Sequence, residues 1–217
     1  MRVVALYNIK GGVGKTAGAV NLGFCAAADR WRTLVWDLDP QGAASFYFRV
    51  RAKVRGGRKM LRGKRPLDDA IRGTDYPGLD LLPADFSYRK IDQTLDAAAR
   101  PSRHLAELLQ PLAESYDVVL LDCAPGISLV SEAIFVAADA LLVPTIPTTL
   151  SLRTLDRLIR HLEKRRRRRA ALLPYFSIVD RRKRLHREIC DAAPGGRRPM
   201  LSTAIPNSTL VEQMGLR

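Results

Sequence analysis

The turn Asn8-Ile9-Lys10-Gly11-Gly12-Val13-Gly14-Lys15-Thr16 sits between an apolar run, Val3-Val4-Ala5-Leu6-Tyr7, and a helix-like stretch over residues 16–28. A strand, a glycine-rich turn and a helix in that order make a phosphate cradle. With no side chains at Gly11, Gly12 and Gly14, backbone N–H groups can converge on phosphate oxygens, and the helix N-terminus adds a favourable partial charge. In such a cradle Lys15 pairs with the β/γ-phosphates and the Thr16 hydroxyl takes a coordination position on Mg²⁺. A second set of reactive groups follows a short buried-type strand, Thr33-Leu34-Val35-Trp36, in Asp37-Leu38-Asp39-Pro40-Gln41-Gly42. Carboxylates at the C-terminal end of a parallel strand beside a phosphate loop stand where a nucleotide's Mg²⁺ and attacking water belong. A third acid, Asp122, ends the apolar run Val118-Val119-Leu120-Leu121, the pattern of a fully buried parallel strand.

The strict P-loop pattern asks for glycine five residues before Gly14, where this chain has Ile9 followed by Lys10. The run Lys10-Gly11-Gly12-Val13-Gly14-Lys15-Thr16 resembles the deviant Walker A motif of the ParA/MinD family of ATPases. The resemblance implies that Lys10 reaches across a sandwich dimer to the neighbour's nucleotide. Asp37-Leu38-Asp39-Pro40-Gln41-Gly42 is similar to the family's second motif, which implies that Asp39 orients or deprotonates the attacking water and that Asp37 supports the metal shell. The strand ending in Asp122 resembles Walker B, implying that Asp122 holds Mg²⁺ through water. Cys123-Ala124-Pro125-Gly126 looks like the family's switch that senses the γ-phosphate. Near the end, Leu201-Ser202-Thr203-Ala204-Ile205-Pro206-Asn207 looks like the last family strand and its turn, with Pro206 contacting the base. Residues Gly11, Gly12, Val13, Gly14, Lys15, Thr16, Ala17 and Pro206 are thus the expected nucleotide contacts. Catalysis is assigned to Lys10, Lys15 and Asp39, and the metal to Thr16, Asp37 and Asp122.

Two departures from the family pattern stand out. Ala17 replaces the usual threonine and has no hydroxyl for the α-phosphate, and the stretch after Asn207 is expected to lack the family's closing helix.

The rest of the chain supplies the elements that would carry these groups. Apolar strands alternate with helical patterns, the signature of a doubly wound, mostly parallel α/β sheet flanked by helices. Residues 51–65 read as a loop because Gly56, Gly57 and Gly63 interrupt any helix, and residues 66–71 read as a short helix. Residues 79–83 read as a strand, residues 102–113 as a helix with Leu105, Leu108, Leu109 and Leu112 on one side, and residues 140–144 as another strand. A helix over residues 148–162 begins at Thr148 or Thr149 as N-cap, and a strand follows over residues 172–177. All 217 residues are expected to form one domain of this type.

Composition narrows the function classes. A hydrophobic fraction of 47% argues against disorder. No apolar run approaches the roughly 18 residues of a membrane span, and the chain goes straight into a strand, so a cytoplasmic protein without a leader is expected. No DNA-reading domain is expected before Met1, and operator-specific repression is therefore not expected. Cys25, Cys123 and Cys190 lack metal-ligand spacing and read as reduced thiols.

The net charge of +14 is unevenly spread. Residues 51–65 carry +8 and residues 153–187 carry +11, leaving −5 on the remainder. Two basic segments on a slightly acidic body point to a polyanion, nucleic acid ahead of membrane. The expected duplex-backbone contacts are Lys164, Arg165, Arg166, Arg167, Arg168, Arg169, Arg182 and Arg184, which have no interleaved aromatics for base stacking.

Together these features predict an ATP- and Mg²⁺-dependent ATPase. It would dimerise on ATP, bind DNA without sequence preference and position plasmid, chromosome or other cargo on the nucleoid, with a partner or cargo adaptor stimulating hydrolysis. A MinD-like membrane-positioning ATPase and a metabolic or metal-cluster carrier of the same superfamily are the alternatives. The former needs a C-terminal membrane-binding amphipathic helix and the latter a Cys-x-x-Cys or similar interface cysteine pair, and neither is expected here.

Overall fold

Strands β1 (Arg2–Leu6), β2 (Thr33–Asp37), β3 (Arg72–Gly73), β4 (Leu79–Leu82), β5 (Val118–Asp122), β6 (Ala140–Thr145), β7 (Ala171–Val179) and β8 (Ala204–Pro206) form one sheet in the order β3-β4-β2-β5-β1-β6-β7-β8. All pairings are parallel except β3 with β4. A computed structural model of the protein describes residues 1–54, 56–164, 170–193, 198 and 200–216. The connecting helices are α1 (Lys15–Ala28), α2 (Ala43–Tyr47), α3 (Gly57–Leu61), α4 (Ile91–Asp96), α5 (Pro101–Leu109), α6 (Leu129–Ala137), α7 (Thr149–Glu163), α8 (Arg184–Ala192) and α9 (Thr209–Glu212).

The continuous apolar runs of β2 and β5 follow from burial on both faces, and every residue of both strands is buried. Successive side chains point to opposite sides of a strand. Tyr7, Leu34, Trp36, Val119 and Leu121 therefore face a core built with Leu95 of α4, Leu105 and Leu109 of α5, Ile134 of α6 and Leu155 and Leu158 of α7. On the other face Leu6, Val35, Leu81 and Leu120 pack with Ala19 and Val20 of α1 and Ala44 of α2. Helices on both faces of a mostly parallel sheet are the architecture that the alternating pattern predicts.

Three local expectations need correction. Residues 51–65 contain α3: Gly56 takes the left-handed entry at φ 72°, while Met60 and Leu61 are fully buried beneath the turn. Gly57 fits because a Cβ there would stand 3.0 Å from Asp85 Oδ1 and Ser87 Oγ. Residues 66–71 hold only a 3₁₀ turn, Asp68–Ala70. Helix α6, begun by a reciprocal Ser128/Ser131 capping box, lies in a stretch where no helix was anticipated. After the turn at Pro206 the chain forms the four-residue helix α9, capped by Ser208. Thr148, rather than Thr149, caps α7 by accepting the Ser151 N–H at 3.3 Å.

Candidate functional site: a phosphate cradle over three carboxylates

Strand β1 lies between β5 and β6, so the loop leaving β1 opens at the C-terminal edge of the sheet, at the crevice where such folds bind ligands. Buried polar bonds pin that loop. Asn8 Nδ2 donates to the Pro144 carbonyl at 2.8 Å, and Asn8 Oδ1 accepts the Lys10 N–H at 2.9 Å. The Tyr7 hydroxyl donates to Gly126 O at 2.7 Å, and the Gly126 N–H donates to Ile9 O at 3.1 Å, tying the first loop to the switch-like loop after β5. Burial pushes the Tyr7 phenol up to about 12, so it stays a donor.

Within the loop, Gly11 and Gly12 face open space: nothing stands within 4 Å of where a Cβ would be. Gly14 is the N-cap of α1 at φ 91°, a left-handed conformation, and a Cβ there would meet Ser177 Oγ at 2.8 Å. Helix α1 has no side-chain cap and no acid in its first turn. Its orphan N–H groups and dipole are left for an anion. Lys15 is buried under the loop and donates to the Lys10 carbonyl at 3.2 Å. Burial lowers its pKa, while Asp122, Cys123 and Asp39 oppose that shift.

The carboxylates lie below this cradle. Register pairs Asp37 with Asp122 at the ends of β2 and β5, and the Leu38 N–H donates to Asp122 O at 3.0 Å. Asp37 Oδ2 accepts the Ser45 N–H and hydroxyl at 2.8 and 2.7 Å, and Oδ1 accepts the Asp39 N–H at 3.3 Å. Burial nevertheless pushes its carboxyl up to about 6. Asp122 is fully buried, and neither carboxylate oxygen has a hydrogen-bond partner among the described residues. Its carboxyl is pushed up to about 7, first by burial and then by the charge of Asp37, with Asp39 adding to the rise; the nearby Thr16 hydroxyl and Lys15 pull the other way. A buried carboxylate without donors is unfavourable unless it is protonated or meets a cation. The Asp122–Thr16 pair therefore fits a divalent ion in chemistry and position. Asp39 is half-buried and its Oδ1 accepts the Gln41 N–H at 2.9 Å.

The fold thus gathers Lys10, Gly11, Gly12, Val13, Gly14, Lys15, Thr16, Asp37, Asp39 and Asp122 at one edge. Ala17 follows in the first turn of α1. Pro206 pairs with Val179 at the end of β7, two residues beyond the Ser177 that touches Gly14, so it lies on the same edge. Lys164 is the exposed C-cap of α7, and Arg165–Arg169 lie outside the described residues. Arg182 is exposed but grips Asp180 through Nε and Nη2, each at 3.0 Å, and Arg184 pairs with Glu188 at 2.7 Å.

Four further residues position the site: Asn8, Ser45, Ser177 and Ile178. A polar residue closing an apolar strand was the available signal at Asn8. Ser45 and Ser177 gave none, because their partners are set by tertiary contact. Ile178, beside Ser177, holds φ 56° at the register shift between β7 and β8. A β-branched residue seldom takes that conformation, and such strain collects at functional sites.

A family model described as an AAA domain matches residues 1–173. The chromosome partitioning protein ParA of Caulobacter vibrioides is 37% identical over 182 residues, covering 82% of this chain and 67% of that protein. The sporulation initiation inhibitor protein Soj of Bacillus subtilis is 31% identical over 145 residues, 66% of this chain and 57% of its own length. Among solved structures, cobyrinic acid a,c-diamide synthase from Mycobacterium smegmatis with bound ATP analog and magnesium is similar over 100% of this chain and 92% of that one, with a TM-score of 0.86 and 27% identity.

Proposed function

The chain belongs to the ParA/MinD family of deviant Walker A ATPases, and from that premise we propose that it is a partition-type ATPase acting on ATP with Mg²⁺. The observation that carries this reading is the buried Asp122 carboxylate, with the Thr16 hydroxyl beside it, beneath an uncapped helix N-terminus and the buried Lys15. Across residues 1–217, taken as one ATPase domain, the backbone N–H groups of Gly11, Gly12, Val13 and Gly14 hold the phosphates, and Lys15 pairs with the β/γ-oxygens. Ala17 lines the α-phosphate side without a hydroxyl, and Pro206 borders the base. Thr16 and Asp122 hold Mg²⁺, and Asp37, oriented by Ser45, supports that shell. Mg²⁺ held there would supply neutralisation of the phosphate charge. Asp39 orients the attacking water, and Lys15 together with the partner subunit's copy of Lys10 stabilises the developing charge.

The ATP-bound dimer so formed joins the basic surfaces of two subunits and binds duplex DNA without sequence preference, with Lys164, the arginine run after it, Arg182 and Arg184 as contacts. Hydrolysis to ADP and phosphate, stimulated by a cargo adaptor, releases the dimer, so the chemistry serves as a timer for placing plasmid, chromosome or other cargo on the nucleoid of a cytoplasmic compartment. The similarity to ParA and Soj supports this reading over a membrane-positioning role, and no helix among the described residues is long and apolar enough to cross a membrane.

The test is binding to a non-specific duplex across a salt series with ATP·Mg²⁺, with ADP and without nucleotide, in the native chain and in Lys10→Ala. Binding that requires ATP and is lost in Lys10→Ala is expected. Binding indifferent to nucleotide and to Lys10 would contradict the proposal.

A further inference from the structure

Between the Asp39 loop and β3, residues 51–65 carry eight cations and no acid, and several of the described ones are anchored to the body of the fold. Val54, Met60 and Leu61 turn inward and are buried, as is Leu67 just beyond. The Val54 N–H donates to Asp85 Oδ2 at 2.9 Å, Gly57 nests against Asp85 and Ser87, and the Leu61 carbonyl meets His104 Nε2. At the other end Ala52 packs on Gly42, so close that a Cβ on Gly42 would lie 2.9 Å from the Ala52 Cβ. The segment is therefore clamped between the 3₁₀ turn Phe86–Lys90 and the loop that carries Asp39.

The clamp leaves the cations outside. Arg51, Lys53, Arg58, Lys59, Arg62 and Lys64 are all exposed, and among the described residues none of the six forms an ion pair. Arg89 and Lys90 of the adjoining turn are exposed as well, with the Arg89 guanidinium 4.2 Å above the ring of Phe86. Holding so many like charges on an ordered turn is unfavourable unless a polyanion meets them.

We propose that this α3 platform is a second duplex-DNA surface, gripping the phosphate backbone through Arg58, Lys59, Arg62 and Lys64. The inference rests on the DNA-binding reading above and places a second contact outside the arginine run that follows α7. A protein partner fits less well. Protein interfaces centre on buried aromatic or apolar anchors, whereas the apolar residues of this segment point into the core and the nearby Phe86 ring is overlain by Arg89. A surface of guanidinium and ammonium groups without free aromatic faces suits phosphates, not bases.

The test uses the full chain with ATP·Mg²⁺ and a fluorescently labelled non-specific duplex over a salt series. The quadruple variant Arg58→Ala, Lys59→Ala, Arg62→Ala, Lys64→Ala is expected to bind about 10- to 100-fold more weakly at moderate salt and to lose about 2 to 4 from the slope of log affinity against log salt. The charge-preserving variant Arg58→Lys, Lys59→Arg, Arg62→Lys, Lys64→Arg should keep both near native, and ATP affinity should stay unchanged in all. Native affinity and slope in the quadruple alanine variant would overturn the α3 assignment alone, as would an equal loss in the charge-preserving variant. Competition by polyglutamate as effective as unlabelled duplex would overturn the assignment to DNA. A native chain that binds no duplex under any nucleotide condition would overturn the function proposed above together with this surface.

Discussion

The cradle edge and the basic segments are both rich in charge, but the fold treats them in opposite ways. At the cradle, Lys15, Asp37 and Asp122 are buried, and Asn8, Ser45 and Tyr7 spend their polar groups on fixing neighbouring backbone or carboxylates. On the basic segments most of the described cations stand in solvent, and the pairs that do form, such as Arg182 with Asp180 and Arg184 with Glu188, are surface pairs. Placement dominates at the first region, where sub-ångström shifts alter desolvated charges. At the second the number of charges dominates, because screening averages over their positions.

Substitutions should separate the two regimes. The largest effect is expected at Gly14→Ala, which adds left-handed strain at φ 91° and drives a methyl to 2.8 Å from Ser177 Oγ. A cost of about 2–4 kcal/mol follows from the two terms, read as a lowered denaturation midpoint at unchanged m-value. Adding Ser177→Gly should recover the steric part and leave the backbone part. Full recovery would show that φ at this position is not strained.

A smaller effect, of opposite sign, is expected at Asp122→Asn. Asp122 and Asp37 titrate near 7 and 6 in the fold, above their ordinary value of 3.8. The folded chain therefore holds protons on these two groups that the unfolded chain has released, so their contribution to stability without nucleotide or metal is greatest below about pH 4, falls as pH rises through about 7, and levels off above. Asp122→Asn removes the upper part of that decline. At pH 8 it should raise the metal-free melting temperature by about 2–10 °C while abolishing the Mg²⁺ dependence of ATP binding. A lower melting temperature would mean that Asp122 has a stabilising partner in the free protein.

The smallest effect belongs to the exposed region. Arg182→Ala and Arg184→Ala should each change stability by less than about 0.5 kcal/mol, because exposed pairs contribute little. A larger loss would mean that these arginines support the end of β7 as the cradle residues support their loop.

The same contrast explains what the sequence could reveal. The glycine loop, the Asp37/Asp39 motif and the strand ending in Asp122 were legible because their function demands fixed local spacing, and burial on both faces makes β2 and β5 continuous apolar runs. Ser45 and Ser177 were not legible, since the one reaches Asp37 from the next helix and the other lies against Gly14 from β7, six strands later in the chain. Glycines misled at residues 51–65. By pattern they read as helix breakers, whereas Gly56 starts the turn and Gly57 lets it approach Asp85. Helix α6 escaped notice because its residues are apolar on most sides, as expected for a helix wedged between the sheet and α5, and so show little helical periodicity.

The most direct measurement of the central claim is single-turnover hydrolysis of ATP with Mg²⁺ by the native chain and by Asp39→Ala, with ATP affinity measured alongside. Asp39 is half-buried at the cradle and takes no part in the core. Its removal should leave ATP binding within about threefold of native and slow the chemical step by about 100-fold or more. Hydrolysis at the native rate in Asp39→Ala would contradict the account of this edge as the site where water is set on the γ-phosphate.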